Sequence, residues 1–381
     1  MRCNSFLSAA LLTLSLAISG NVFGQAGQQI PARGVKAGKI GVLVQMTGLS
    51  GDFGVGIQNA VEIAKQDMKD TGIINLDVFY EDHQTQPQLA LVGFEKLVDQ
   101  RGVTAVLANV SSVVLALGPV AAERKVLIYN FAAVSPKLRT LKPWVVTGIP
   151  TSDVDGRELA LYIFKDLGLK TVGVIHVNDQ YGISSAEIFE QEYKAAGGKV
   201  VASEGHDIGA TDMRTELLKV KSAKPEALVV ISNYIENAHA VAQAREIGLA
   251  AKIFSNNTMI SAENVKVAGA ALNGVRGVTY RFDPEGSPAA RAFVAKFKQR
   301  AGREPVMQDV LAYDGARLIG EAMSKVGNDA KAIRDYIVGV KDWAGLIGKI
   351  NFDADGLIKL DLQIFEYVDG KPVYSQRGGV R

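Results

Sequence analysis

Cysteine is almost absent from the sequence, since Cys3 is the only one among 381 residues. It precedes an apolar run near the amino terminus, whereas the lipid-anchored cysteine of a lipoprotein follows such a run. Removal of this run would leave a chain without cysteine and therefore without disulfides. A chain of this length can form two compact lobes whose cores are large enough to be stable without cross-links.

An excess of one charge is also missing. The 42 Lys and Arg residues and the 40 Asp and Glu residues give a net charge of +2. No basic block or basic stripe with interleaved aromatic residues is present, so we expect no binding of nucleic acid. Apolar residues make up 48% and charged residues 22% of the chain, which is typical of a folded globular protein.

Histidine is scarce, and its spacing does not suggest a metal site. None of the four histidines belongs to an HExxH pattern or to another paired arrangement of metal ligands. They are His83, His176, His206 and His239. We therefore expect neither a metal nor a cofactor.

Long apolar runs are limited to one, at residues 6–18 (FLSAALLTLSLAI). It follows Arg2 and ends in small and polar residues, which is the layout of a secretory signal peptide. An uncleaved anchor helix is the alternative, but the run is short for a membrane span. We expect cleavage near Gly24 or Ala26, with residues 1–24 as the signal peptide and 25–38 as a flexible segment.

Strands and helices alternate through most of the remaining chain. Continuous apolar runs, typical of strands buried on both faces, occur at residues 39–45, 76–80, 103–107 and 126–131. A second series begins near Thr151, with strands predicted at residues 171–177, 199–204, 227–232, 253–255 and 275–280. The alternation predicts an α/β protein with doubly wound parallel sheets in two lobes.

The carboxyl-terminal part has a different pattern. Two helical stretches, at residues 288–301 and 307–325, are followed by short strand-like segments. Asp355-Gly356 and Asp369-Gly370 separate these segments and are hairpin signals. The end of the chain is therefore predicted to be antiparallel.

Polar residues follow the predicted strands at their carboxyl ends, where open parallel sheets bind ligands. They are mainly hydroxyl, amide and aromatic side chains, with Asp52 and Asp179 as the acids. This composition favours ligand binding by hydrogen bonds over catalysis. Ser111 and Ser112 open a helix, where free backbone N–H groups attract an anionic group. Simple capping of that helix is the alternative role of the serines.

Two motifs that would suggest an enzyme are incomplete. The GISSA segment at residues 182–186 lacks the final glycine of a nucleophile elbow. The glycines at residues 48–56 lie between a strand and a helix, but their order reverses the dinucleotide-binding pattern. No nucleophile and base are apparent elsewhere, so we expect that the protein is not an enzyme.

Six segments resemble the leucine/isoleucine/valine-binding branch of the type I periplasmic solute-binding proteins of ABC importers. They are KIGVLVQMTGLSGDFG, YEDHQTQPQLA, VLIYNFAAVSP, VIHVNDQYG, AREIGL and GKINFDADGLIK. The resemblance covers residues 39–373 and implies two lobes joined by three hinge segments, with the solute enclosed between them. It also implies a periplasmic location for the exported chain.

The resemblance implies where the lobes begin and end. The hinge segments are expected near residues 147–151, 278–281 and 345–352. Lobe 1 is expected to comprise residues 39–148 and 281–345, and lobe 2 residues 149–280 and 346–381. Trp144 and Trp343 lie just before two of these hinges, so lobe closure is expected to change the intrinsic fluorescence.

The resemblance further implies a set of ligand-binding positions. Ser111 matches the serine that holds the solute carboxylate, and Phe53 matches an aromatic residue that lines the site. Tyr181 and Tyr234 match tyrosines of the second lobe, and Val134 takes the place of a hydroxyl residue. The candidate ligand-binding residues are Phe53, Ser111, Ser112, Ala132, Val134, Ser135, Tyr181, Tyr234, Asn257 and Gln308.

Two of these positions depart from the family. An aromatic wall residue falls near Gln308, and the acid that holds the ammonium group of an amino acid falls on Asn257. An asparagine supplies no charge, and a buried ammonium group without a carboxylate is unfavourable. Other acids that could replace it are Asp52, Asp179, Glu236 and Asp309. We favour a ligand without an α-ammonium group, although a shifted alignment would restore branched-chain amino-acid binding.

We therefore expect the extracytoplasmic subunit of an ABC importer, which captures a small solute by lobe closure. The expected solute is an aromatic or aliphatic carboxylate or an amide-like compound. Uptake of branched-chain amino acids and ligand sensing with a signalling receptor are the alternatives. The expected partners of a monomeric chain are the solute and a permease and ATPase complex in the inner membrane.

Overall fold

The structure is a computed structural model that describes residues 36–48 and 51–375, except for the side chain of Tyr234. The predicted signal peptide and its cleavage sites lie outside the described residues. The described strands, in chain order, are β1 (Ala37–Val44), β2 (Asn75–Asp82), β3 (Ala105–Ala108), β4 (Leu127–Asn130), β5 (Val145–Thr147), β6 (Thr171–Val177), β7 (Lys199–His206), β8 (Ala227–Ile231), β9 (Lys252–Ser255), β10 (Arg276–Thr279), β11 (Trp343–Gly345), β12 (Gly348–Phe352), β13 (Ile358–Lys359), β14 (Gln363–Val368) and β15 (Lys371–Ser375).

Helices connect most of the parallel strands, and two of them continue into a π-helical turn. Those turns are Lys96–Gln100 and Tyr162–Asp166. The described helices are α1 (Gly51–Asp70), α2 (Pro87–Glu95), α3 (Ser111–Arg124), α4 (Ser152–Leu161), α5 (Gln180–Ala195), α6 (Arg214–Ser222), α7 (Tyr234–Glu246), α8 (Ala262–Ala268), α9 (Pro288–Ala301), α10 (Met307–Val326) and α11 (Ala330–Gly339).

Two sheets organise the described chain, as the alternating pattern predicts. The first is parallel and has the order β2-β1-β3-β4-β5. The second has the order β15-β14-β10-β9-β8-β6-β7, and it is parallel from β10 to β7. Their central strands are buried along their whole length, which explains the uninterrupted apolar sequences. The predicted α/β class is confirmed.

The predicted antiparallel end of the chain is also confirmed. β14 pairs antiparallel with β10 and with β15, and Asp369-Gly370 lies in the turn between β14 and β15. β12 and β13 form a second antiparallel pair around Asp355-Gly356. Both Asp-Gly sequences thus mark hairpins.

The late helices return to the first sheet. α10 packs on α1, β1 and β3, and residues of α9 and α11 join the same apolar core. The chain thus passes between the sheets three times, at residues 148–151, 280–287 and 360–362. The first two passages lie at or next to the predicted hinges.

The third passage lies later in the chain than the predicted hinge at residues 345–352. The small sheet β11-β12-β13 packs on the first core through a group of apolar side chains. They are Leu346, Ile350, Phe352 and Ile358. We therefore place this passage after β13, while the exact division into lobes stays a prediction.

Candidate functional site

The carboxyl ends of strands from both sheets border one cleft of about 1020 Å³. The candidate residues that line it are Phe53, Ser111, Ser112, Ala132, Val134, Tyr181, Asn257 and Gln308. Ser135 is not among the lining residues, because its side chain is fully buried behind the cleft surface. Tyr234 begins α7, but its side chain lies outside the described part of the chain.

Ser111 fixes the loop that follows β4. Its hydroxyl oxygen accepts hydrogen bonds from the backbone N–H groups of Val134 and Ser135, both at 3.3 Å. No side chain caps α3, so helix capping is not the role of this serine. Because the hydroxyl oxygen acts as an acceptor here, its hydrogen is available to an acceptor in the cleft.

The backbone before α3 adopts a rare conformation. Val110 has φ +67°, a value that a β-branched residue seldom adopts. It borders the cleft and directly precedes the first turn of α3. The first N–H groups of a helix have no partner within the helix and favour an anion. The strained residue therefore lies where the amino-terminal end of α3 meets the cleft.

A buried polar network lies beside this helix end. The Asn109 amide donates to the Gln45 side-chain oxygen at 2.9 Å, and its oxygen lies 3.1 Å from His83 Nε2. His83 Nδ1 accepts the N–H of Thr85, so the ring proton resides on Nε2. Burial lowers the pKa of His83, which keeps the ring neutral. The network fixes the loop after β2, which also borders the cleft.

The second sheet contributes Tyr181 at the start of α5. Asn256 donates a hydrogen bond of 2.8 Å to its phenol oxygen. Burial raises the pKa of Tyr181 to about 12, so the phenol stays protonated. Its hydroxyl is then able to donate to a solute acceptor.

Asn257 occupies the position where the resemblance leads us to expect an acid. Its amide nitrogen donates to the phenol oxygen of Tyr280 at 2.8 Å. Both residues line the cleft, and Tyr280 is otherwise buried. This corner of the site therefore offers neutral hydrogen-bonding groups.

Three of the four possible replacement acids are engaged by the protein. Asp179 accepts the N–H of Gly182 at 2.7 Å and the side chain of Asn233. The carboxylate of Glu236 accepts two backbone N–H groups, from Gly209 and Asn233. Each engaged oxygen has less capacity left for a solute ammonium group.

Asp309 is the third engaged acid. It is fully buried, and Arg303 pairs with both of its oxygens at 2.7 and 3.3 Å. Burial raises its pKa, and the pairing with Arg303 opposes that rise. Asp52, the fourth acid, lies in the first turn of α1 and borders the cleft. It has no hydrogen-bonding partner among the residues that the structure describes.

Arg303 is the one basic side chain that lines the cleft within the described residues. Gly56 permits its close approach to α1, because a Cβ there would overlap the guanidinium group. The sequence does not reveal this residue, since it lies in the loop between α9 and α10 and far from any strand end. Gln45 and Asn109, in contrast, follow β1 and β3 directly and obey the strand-end rule.

Gln308 stands where the resemblance implies an aromatic wall. Its side-chain oxygen is buried and has no hydrogen-bonding partner in the described part of the chain. The apolar lining nearby comes instead from Val306, Met307 and Leu311. The lining that α10 contributes is therefore mainly apolar.

The GISSA segment forms the first turns of α5. Ser184 donates to the carbonyl of Gln180 at 2.6 Å, as a helical serine does. Within the described residues, no helix is long and apolar enough to cross a membrane.

Comparisons with known proteins agree with this architecture. The Leu/Ile/Val-binding protein homolog 1 of Brucella suis biovar 1 is 24% identical over 348 residues, which is 89% of this chain and 93% of that protein. The crystal structure of the substrate binding protein LivJ from Streptococcus pneumoniae, in complex with isoleucine, has a TM-score of 0.78 at 25% identity. The match covers 89% of this chain and 100% of that one.

A second solved structure has a different ligand. The solute binding protein of an ABC transporter from Rhodopseudomonas palustris BisB5, in complex with 3,4-dihydroxy benzoic acid, also has a TM-score of 0.78, at 24% identity. The match covers 89% of this chain and 96% of that one. A family model described as periplasmic binding protein matches residues 38–371. The chain therefore belongs to the periplasmic binding protein family, and it has the type I fold of these substrate-binding proteins, which are not enzymes.

Proposed function

We propose that the protein captures a small carboxylate-bearing solute that lacks an α-ammonium group, and presents it to an ABC importer. Aromatic carboxylates, aliphatic carboxylates and amide-like compounds are the solute classes that fit. The observation that carries this proposal is the neutral pair of Asn257 and Tyr280 in the corner where an acid would hold an ammonium group. A charged ammonium enclosed there would lose its water without gaining a counter-charge.

The proposed solute also requires a site for its carboxylate. The region around Ser111 supports such a site. Its hydroxyl hydrogen, the hydroxyl of Ser112 and the first N–H groups of α3 are donors at the edge of one cleft. Donors that converge at a helix amino terminus stabilise a negative group by hydrogen bonds and by the helix dipole.

The engaged acids support the same solute class. Asp309 is neutralised by Arg303, and the carboxylate of Glu236 accepts two backbone N–H groups. Neither is positioned as a free counter-charge for an amino acid. Arg303 is the one basic side chain of the described cleft lining, and its charge is paired with that of Asp309. The acids that line the same cleft are Asp52, Asp179, Glu236 and Glu263.

Branched-chain amino-acid uptake is the second candidate. It is supported by the relatedness to the Brucella suis protein and by Asp52 at the cleft border. The fold does not decide between the two candidates, since LivJ and the Rhodopseudomonas palustris protein match this chain equally well with different ligands. The residues that line the cleft therefore have to distinguish the two candidates.

Capture by closure of the two halves is supported by the architecture. Residues of both sheets border the cleft, and three chain passages connect the sheets. Rotation about such passages closes a cleft around its solute. The closed halves would then be recognised by the permease and ATPase complex of the inner membrane, after export of a monomeric chain to the periplasm. A signalling receptor is the alternative partner.

The test compares solutes that differ only in the ammonium group. Leucine is paired with 4-methylpentanoate, and phenylalanine with 3-phenylpropanoate, in thermal-shift and calorimetric titrations of refolded, ligand-free mature protein. A solute at a thousand times its dissociation constant adds about 4 kcal/mol of stability, which gives a clear shift. We expect the deaminated member of each pair to bind more tightly. Tighter binding of leucine would instead establish the amino-acid candidate.

A further inference from the structure

Two half-exposed isoleucines border the cleft on the side of the second sheet. Ile208 follows β7 and is 57% exposed, and Ile235 lies in the first turn of α7 and is 48% exposed. Both belong to the cleft lining. Large apolar side chains that are exposed at a cleft mark a surface that is covered when the protein works.

Glu236 connects the two backbone segments that carry these isoleucines. Its buried carboxylate accepts the N–H of Gly209, the neighbour of Ile208, and the N–H of Asn233, two residues before Ile235. The loop after β7 is thereby tied to the start of α7. The function of this acid is positional, and it holds Ile208 and Ile235 as one apolar lip.

Apolar side chains of the first half complete the surface. Val55, in the second turn of α1, is 49% exposed and borders the same cleft. Met307 and Leu311 of α10 line the cleft as well. Apolar side chains of both halves therefore contribute to the lining of the cleft, beside the donors around Ser111.

We propose that the solute carries an apolar body that is longer than a branched amino-acid side chain and is covered by the lip of Ile208 and Ile235. This proposal rests on the proposed function, since it takes the Ser111 region as the carboxylate site. The solute class is then a medium-chain or aryl-extended monocarboxylate. Its carboxylate lies at the donors and its far end at the lip.

The test uses straight-chain monocarboxylates from propanoate to decanoate, titrated calorimetrically into the mature protein. Each methylene group that becomes buried should tighten binding by roughly fourfold until the lip is reached. Beyond that length the affinity should level off. An affinity that stays flat or falls beyond butanoate overturns the proposal.

Three variants locate the contact. Ile208→Ser and Ile235→Ser should each weaken decanoate binding by roughly five- to tenfold and propanoate binding by less than twofold. Leu218→Ser is the matched control, because Leu218 is 49% exposed on α6 and does not line the cleft. It should bind both acids as the unchanged protein does.

The outcomes separate this proposal from the proposed function. Equal weakening of short and long acids in the isoleucine variants would mean that the lip contacts the opposite half of the protein, and the proposal would be wrong. Binding of benzoate or propanoate without any chain-length dependence would also overturn it, and would leave the proposed function intact. Binding of leucine but of no monocarboxylate would remove both.

Discussion

The amide nitrogen of Asn257 lies 2.8 Å from the phenol oxygen of Tyr280, and this bond joins the loop after β9 to the chain passage after β10. The side chain that would choose between an amino acid and a deaminated acid is thus fixed by a residue of the passage itself. Substitution of Asn257 tests the selectivity of the cleft directly.

Asn257→Glu should shift the binding preference of the cleft from deaminated acids toward amino acids. The new carboxylate supplies the counter-charge for an ammonium group, and it repels a second negative group nearby. We expect leucine to gain at least about tenfold in affinity relative to 4-methylpentanoate, which corresponds to about 1.4 kcal/mol. Calorimetric titration of both solutes measures the ratio.

Asn328→Glu is the control for the added charge, because Asn328 is exposed and does not border the cleft. It should leave the ratio of the two affinities unchanged. An unchanged ratio in the Asn257 variant, with a normal melting transition, would show that this position does not contact the α-substituent of the solute.

The fold could be predicted from the sequence wherever a long pattern coincides with one element. The strand predicted at residues 171–177 has the bounds Thr171–Val177, and the helix predicted at residues 288–301 is Pro288–Ala301. The sequence does not predict β5, because its three residues are too few to show a period. The sequence places the third chain passage earlier than we place it from the packing of β11–β13, because hairpin signals mark a turn but not the core on which the hairpin packs.

The site could be predicted only in part, for a similar reason. Ser111 and Tyr181 follow from strand ends and from the resemblance. Arg303 could not be found, because its position in the cleft depends on its pairing with Asp309 and on the absence of a side chain at Gly56. Ser135 adjoins Val134 in sequence but is buried on the far side of the loop. Tertiary contacts, which a single sequence does not contain, decide such cases.

Gly54 is expected to serve packing, although the glycines around it suggest a dinucleotide fingerprint. A Cβ at this position would overlap the backbone carbonyl of Gln45, where α1 meets the end of β1. Gly54→Ala should therefore destabilise the protein by roughly 1–3 kcal/mol, because the backbone has to move. Urea unfolding measures the difference.

Gly339→Ala is the matched control for that substitution. Gly339 ends α11, and a Cβ there would meet no atom within 4 Å. Its free energy of unfolding should stay the same or rise slightly, since alanine suits a helix better than glycine. Equal stability of the two variants would rule out the close contact at Gly54.

Trp144 should provide the fluorescence change on closure that the sequence led us to expect from both tryptophans. It directly precedes β5 and the first chain passage. Trp343, in contrast, donates to Glu321 at 2.9 Å, and the guanidinium of Arg317 lies 4.8 Å from its ring. Both of these partners belong to α10, so Trp343 is fixed to the first core.

Titration of a binding solute into two variants separates the tryptophans. Trp343→Phe should keep the solute-induced change in emission, and Trp144→Phe should lose it. Retention of the full change in Trp144→Phe would mean that the environment of this passage stays constant on closure.

Asp155 should make the stability of the protein depend on pH. This residue of α4 is buried, and its Oδ1 atom has no partner among the described residues. Burial, and secondly the negative charge of Asp153, raises the pKa of Asp155 from its ordinary value of 3.8 to about 8. The native state therefore retains a proton that the unfolded chain has already lost, so the free energy of unfolding falls as the pH rises from about 4 to about 8.

Asp155→Asn should remove this dependence, because the amide does not titrate. The variant and the unchanged protein should be about equally stable at pH 4, and the variant should gain up to about 1.4 kcal/mol per pH unit up to pH 8. Asp361→Asn, at an exposed position, is the control and should leave the pH profile unchanged. Urea unfolding at pH 4, 6 and 8 gives the three profiles. Parallel profiles of Asp155→Asn and the unchanged protein would mean that Asp155 ionises normally, and that water or a bound cation reaches it in the native state.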